Sequence, residues 1–221
     1  MFSKKLKFGV IVGLKYEKNT LKNLNVISNI GYGKDSAAAT KKLLNSSIDC
    51  VISFGFAGSI NSDLKRGQII LPNNIVWRNN KCVPTSLKYQ KYIKNLLHEF
   101  KLITSNLGTV CNIINKQDQK KELSIKKNIS AIDMESEFIQ KEAIKKKVPF
   151  IALRVIFDDL ELNIPDFIKK NSNTKGIINY KKIILNLILT PTNFIHLIKL
   201  SINFFMCIRV LKKLAIKIFD I

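Results

Sequence analysis

Histidine and cysteine are scarce in this chain, and their scarcity removes several chemistries at the outset. Of 221 residues, two are histidine and four are cysteine. His98 and His196 each stand alone among apolar neighbours at helical spacing, so neither a Ser-His-Asp triad nor a metal site is expected. Cys50, Cys82, Cys111 and Cys207 lie far apart without a Cys-x-x-Cys pair. That argues against a zinc knuckle or a disulfide framework and suits a reducing cytosol. The chain has no P-loop and no G-x-S-x-G elbow. Gly31-Tyr32-Gly33 has Ser36 where a dinucleotide fingerprint needs its third glycine, and it follows the second expected strand rather than the first, which excludes dinucleotide binding.

Acidic residues are also few, 16 against 37 basic ones, and the formal net charge is +21. Clustered cations attract polyanions. The excess here is nearly all lysine, since Arg66, Arg78, Arg154 and Arg209 are the only arginines, and Ile and Asn are abundant beside it. Compositional drift explains that pattern, and no aromatic array is interleaved with a cationic face, so nucleic acid is not an expected partner. Lys4, Lys5 and Lys7 before the apolar run 8–14 mimic a secretion signal, but no small-residue cleavage site follows and Lys15-Tyr16-Glu17 comes at once. A first buried strand in a cytoplasmic protein is the expectation. Long uninterrupted apolar runs are missing too: Lys199, Arg209, Lys212 and Lys213 break the stretch 193–219, which therefore does not span a membrane.

The length accommodates one α/β domain, read here as residues 1–176, plus a C-terminal apolar and basic helical extension, 177–221. Strand-length runs rich in Ile, Val and Phe occur at 7–14, 25–30, 49–54, 68–72, 102–110, 130–133 and 150–156, and helical spacing is clearest at 34–46, 87–100, 135–147 and 180–189. Their alternation predicts an α/β layer fold with a largely parallel central sheet. In the tail, Leu197, Leu200, Phe204, Cys207, Leu211, Leu214 and Ile218 form a helical seam. That helix either packs on protein, its own domain or a second subunit, or lies in a membrane interface, where Phe204 and Phe205 among basic residues would serve.

In open α/β sheets, ligands bind outside the carboxyl ends of strands. Here those ends carry Gly13 with Glu17, Gly31 with Gly33, Gly55-Phe56-Ala57-Gly58, Asp133-Met134-Glu135 and Asp158-Asp159. Together with Ser136 and the run Arg154-Val155-Ile156-Phe157-Asp158, these residues resemble the purine nucleoside phosphorylases and the methylthioadenosine and S-adenosylhomocysteine nucleosidases. Leu64-Lys65-Arg66-Gly67-Gln68-Ile69-Ile70-Leu71-Pro72 is similar to another strand of that family, with Gln68 where an aspartate is usual. The resemblance runs from Phe8 to about Asp166. A narrower similarity, carried by Gly13-Leu14 with Glu17, Ile164-Pro165 and Leu187-Ile188-Leu189-Thr190-Pro191, points to the hopanoid-associated nucleoside phosphorylases.

The resemblance implies a three-layer phosphorylase/hydrolase-like fold with a central mixed sheet, and cleavage of the N-glycosidic bond of a purine nucleoside. The adenine nucleosides in view are adenosylhopane, which would bring the tail to the inner face of a membrane, and, as the alternative, methylthioadenosine or S-adenosylhomocysteine. It also implies a homo-oligomer and no cofactor beyond phosphate as a co-substrate. Such a cleavage passes through a ribosyl cation and calls for an acid and an anion. By resemblance Asp158 protonates the purine at N7, with Asp159 its substitute if the register is one off, Glu135 accepts the ribose hydroxyls, and Met134 walls the sugar or base. Gly31, Gly33, Gly55, Ala57 and Gly58 let backbone approach the substrate. Each also has an ordinary structural role: helix cap for Asp158, first-turn charge for Glu135, core for Met134. Asp133 and Arg154 are read as a supporting charge pair. Glu17 would activate water, although an ungapped alignment puts Lys18 in its place. Lys34 beside the Gly31 turn would instead hold phosphate, and the choice of nucleophile stays open with a lean to hydrolysis. A non-catalytic nucleoside-binding or membrane-surface protein would keep the glycine turns without needing residues 135 and 158 together.

Overall fold

The computed structural model describes residues 6–112, 114, 118–120, 122–123, 128–158 and 192–220. The helix expected at 180–189, residues 163–176, Asp159 and the side chain of Asp158 lie outside the described residues. In chain order the elements are β1 (Phe8–Val12), α1 (Lys15–Asn19), β2 (Ile27–Ile30), α2 (Asp35–Leu43), β3 (Cys50–Ser59), β4 (Ile69–Ile70), β5 (Asn74–Val76), β6 (Cys82–Pro84), α3 (Leu87–Leu96), β7 (Leu102–Ile103), β8 (Leu107–Thr109), β9 (Ala131–Asp133), α4 (Ser136–Lys145), β10 (Phe150–Asp158) and α5 (Thr192–Phe219).

Strands β1, β3 and β10 are nearly continuous apolar runs because both faces of the sheet are covered, as parallel sheets require. Their side chains divide by the two-residue period of a strand. Val10, Val12, Ile52, Phe54, Leu153 and Val155 pack on one face with residues of α3 and α5. Ile11, Val51, Ala57, Ala152 and Ile156 pack on the other with Leu43 of α2 and Ile139 and Ala143 of α4. The result is helix, sheet, helix: the three-layer α/β architecture.

Pairings β1 with β2, β1 with β3, β3 with β10, β4 with β7, β5 with β8 and β8 with β9 are parallel; β10 with β4, β3 with β9 and β5 with β6 are antiparallel. Three local expectations are corrected. The run 102–110 is two strands, β7 beside β4 and β8 between β5 and β9, because the polar stretch 104–106 leaves the first position before reaching the second. Gly55, Ala57 and Gly58 fall inside β3 rather than after it, since β10 runs alongside as far as Asp158 opposite Gly58. The short hairpin of β5 and β6 has too few residues to show a period and was not expected. Gln68, in the place of the usual aspartate, accepts the Lys65 N–H at 2.7 Å through Oε1 and closes the turn before β4.

Of the two packings open to the tail, the structure places its second half on the domain itself: Cys207, Leu211, Leu214, Ala215, Ile218 and Phe219 are buried against β1, β3 and β10. Among the described residues, no helix is long and apolar enough to cross a membrane.

Candidate active site

One edge of β3 is shared by two strands that meet end to end. Parallel β1 pairs with 50–53 and antiparallel β9 with Gly58 and Ser59, so the carboxyl ends of β1 and β9 face each other across residues 54–57. On that edge, opposite the one paired with β10, the backbone groups of 54–57 have no strand partner among the described residues and must find another one. Glu17 supplies it. Its Oε1 accepts the Phe56 N–H at 2.8 Å, and its Oε2 accepts Gly13 and Leu14 N–H, each at 2.8 Å. Reaching back to Leu14 is ordinary behaviour for a third-position glutamate at a helix start. Reaching across to β3 is not, and it fixes the carboxylate in the gap.

Glu135 enters from the other side, just before α4, and its Oε1 accepts the Gly33 N–H at 3.1 Å. Gly13 lies between the two acids: a Cβ on it would sit 3.1 Å from Glu135 Oε1 and 3.5 Å from Glu17 Oε2. Gly55 has a φ of +153°, and a Cβ there would run into Glu17 Oε1 and come within 2.8 Å of Arg154 Nη1. Both positions need glycine because carboxylates and backbone approach so closely.

Behind the acids sits Arg154, 1% exposed. Its Nη2 is 2.7 Å from Asp133 Oδ2 and 3.5 Å from Glu135 Oε2, and donates to Ser53 Oγ at 2.5 Å. Asp133 is spent on structure: it also accepts the Thr109 hydroxyl at 2.9 Å, the Ser136 hydroxyl, and the Ser136 N–H that opens α4. Three buried carboxylates thus share one buried guanidinium. Burial pushes Glu17 up from the ordinary carboxylate range, with Arg154 and three backbone N–H groups pulling against it. Burial pushes Glu135 up to about 7, Arg154 again opposing and the Asp133 and Glu17 charges adding to the rise.

The sign of the linkage follows. Between pH 4.5 and about 7 the folded protein holds a proton on Glu135 that the unfolded chain has released, so this contribution to stability is full below the unfolded value and is lost as pH rises through 7. Urea midpoints of the wild type and Glu135→Gln, measured from pH 4.5 to 8, are expected to differ by an amount that changes across this window. A constant difference counts against the shift.

A cavity of about 170 Å³ opens onto the two acids, lined also by Gly13, Tyr32, Phe56, Ala57, Gly58, Met134 and Phe157. Tyr32 donates its hydroxyl to Met134 Sδ at 3.3 Å across this space. Of the residues singled out from sequence, Glu17, Glu135, Met134, Asp133, Ala57 and Gly58 line the cavity. Gly33 offers its N–H to Glu135. Gly31 is pressed against the Ser36 backbone, and Gly55 and Arg154 lie behind the acids. Lys34 is exposed at the start of α2 and is not in the lining; Lys18 is not in it either. Asp158 ends β10 with its backbone beside Gly58. Sequence reasoning assigned no role to Tyr32, Phe56, Phe157, Ser53 and Ser136, although Phe56, Phe157 and Ser136 stand in the runs that carry the resemblance. Among the described residues, no group of three His, Cys, Asp or Glu could hold a metal ion.

Residues 3–178 match the family model of the phosphorylase superfamily. A 5′-methylthioadenosine/S-adenosylhomocysteine nucleosidase of Buchnera aphidicola subsp. Schizaphis graminum is 28% identical over 190 residues, covering 75% of this chain and 80% of that protein. The protein of the same name from Buchnera aphidicola subsp. Baizongia pistaciae is 26% identical over 210 residues, covering 75% and 83%. The futalosine hydrolase structure of Helicobacter pylori shares the fold, with a TM-score of 0.65 at 19% identity over 71% of this chain and 87% of its own.

Proposed function

The chain belongs to the phosphorylase superfamily, and from that premise we propose that it splits the N-glycosidic bond of a purine nucleoside, with water as the nucleophile. The observation that carries this reading is the pair Glu17 and Glu135, held on either side of Gly13 at one cavity. An ionised carboxylate has about four acceptor sites, and Glu17 uses three on backbone N–H groups. The fourth orients and deprotonates a water molecule. Glu135 has acceptor capacity left for the ribose hydroxyls and sets negative charge near the sugar as it turns cationic.

Asp158 is the acid that protonates the departing purine at N7, and Met134 is the apolar wall against sugar or base. Phosphorolysis is the weaker reading, because phosphate needs cations at the same point. Among the described lining residues there is no lysine or arginine. Two substrate identities remain in view. Methylthioadenosine or S-adenosylhomocysteine is favoured by the names of the Buchnera relatives. Adenosylhopane is favoured by Gly13-Leu14 with Glu17 and the Thr190-Pro191 entry to an apolar, basic tail.

Incubation with methylthioadenosine, S-adenosylhomocysteine, adenosylhopane and adenosine, with and without phosphate, tests both parts. Free base is expected from at least one of them at a rate indifferent to phosphate, rising with pH through a limb near 7 as Glu135 ionises. Base release that needs phosphate removes the hydrolytic reading; no release from any of the four removes the whole assignment.

A further inference from the structure

Helix α5 has two unlike faces. Cys207, Leu211, Leu214 and Ile218 are buried against the sheet. At 100° per residue, Ile198, Ile202 and Phe205 point the opposite way; they are 44%, 62% and 62% exposed. The next turns of that outer face carry Arg209, Lys212 and Lys213, all exposed. Along the outer face an apolar stretch is followed by a cationic one, with exposed Ile216 beyond it.

We propose that this face docks on an anionic lipid bilayer, with Ile202 and Phe205 entering the acyl boundary and Arg209, Lys212 and Lys213 meeting the phosphates. The charge pattern selects this occupant. Residues 192–219 contain no aspartate or glutamate, and the whole chain carries +21. A second copy of the same face would bring cations against cations, whereas an anionic surface complements them and adds its attraction to the apolar insertion. The face is also continuous with the cavity. Phe204, beside Phe205, has its ring centroid 5.8 Å from that of Phe56 and 6.1 Å from that of Phe157, both of which line the cavity. Docking in this orientation sets the mouth of the site at the lipid boundary, where a nucleoside bearing an apolar group is presented.

The test reads binding without turnover, so its failure and that of the proposed reaction are separable. The full chain is sedimented with vesicles of phosphatidylcholine alone and of phosphatidylcholine mixed with phosphatidylglycerol. Binding is expected to the mixed vesicles and to fall as salt is raised. Ile202→Asp with Phe205→Asp is expected to lower that binding at least about tenfold, from the lost apolar transfer, without altering the far-UV spectrum or the release of base from a soluble nucleoside. Arg209→Glu with Lys212→Glu and Lys213→Glu is expected to abolish the preference for phosphatidylglycerol. Absence of binding to both vesicles overturns the proposal, as does binding indifferent to both variants. So does self-association that the Ile202→Asp and Phe205→Asp changes dissolve in place of vesicle binding, which would make a second copy the occupant.

Discussion

Glu17→Gln is expected to lower the rate of base release by about 10²–10⁴-fold, the range for loss of a general base, with substrate affinity changed far less. The reason lies in how the carboxylate is held. Gly13 and Leu14 donate to one oxygen and Phe56 to the other. A glutamine can satisfy the first pair with its carbonyl, but its NH₂ then faces the Phe56 N–H, donor against donor. A buried conflict of that kind costs about 1–3 kcal/mol of stability, and the variant has no basic oxygen left for water. Single-turnover release and a urea transition on the same preparation separate the two effects. Lys18→Ala is the control for register. Lys18 is outside the cavity lining, so this change is expected to leave the rate near that of the wild type. A folded Glu17→Gln protein that releases base at the wild-type rate would end the assignment of Glu17.

The parts of this protein that were legible in its sequence are those where a period or a residue type is forced by burial. The runs at 49–54 and 150–156 announced β3 and β10 because both faces of those strands are covered, and the seam Cys207, Leu211, Leu214 and Ile218 announced the buried face of α5. Short strands escaped, since three residues of β5 or β6 cannot display alternation. The carboxylates were legible as acids at strand ends. What no spacing could disclose is that β1 and β9 meet head to head along β3, which converts Phe56 from a core aromatic into a backbone donor to Glu17 and a wall of the cavity. The roles of Ser53 and Ser136 escaped for a related reason: they exist only once residues 83 apart in the chain are in contact, at 3.0 Å between hydroxyl oxygens.

Arg154→Met carries the largest expected loss of stability. Methionine fills much of the same space, so the change tests charge more than volume. Among the described residues, Arg154 is the one buried cation that faces Asp133, Glu135 and Glu17 together. With all three acids ionised the cluster is already one cation against three anions, which is why one proton stays on Glu135 up to about pH 7. Removing the cation leaves buried carboxylates uncompensated, a change that typically costs about 3–5 kcal/mol. Against a total of about 5–15 kcal/mol for a domain, that is a large share. The protein escapes part of the cost by taking up protons, so the variant's deficit relative to the wild type is expected to shrink as pH is lowered toward 5. Its activity limb is expected to move above 7 because the pull that Arg154 exerts on Glu135 and Glu17 is gone. Arg154→Lys restores charge without the fork that reaches Asp133, Ser53 and the Phe56 carbonyl, and its stability should fall between the two. A urea midpoint for Arg154→Met within experimental error of the wild type at pH 8, with the activity limb unmoved, would mean that the acids are held by backbone donors alone.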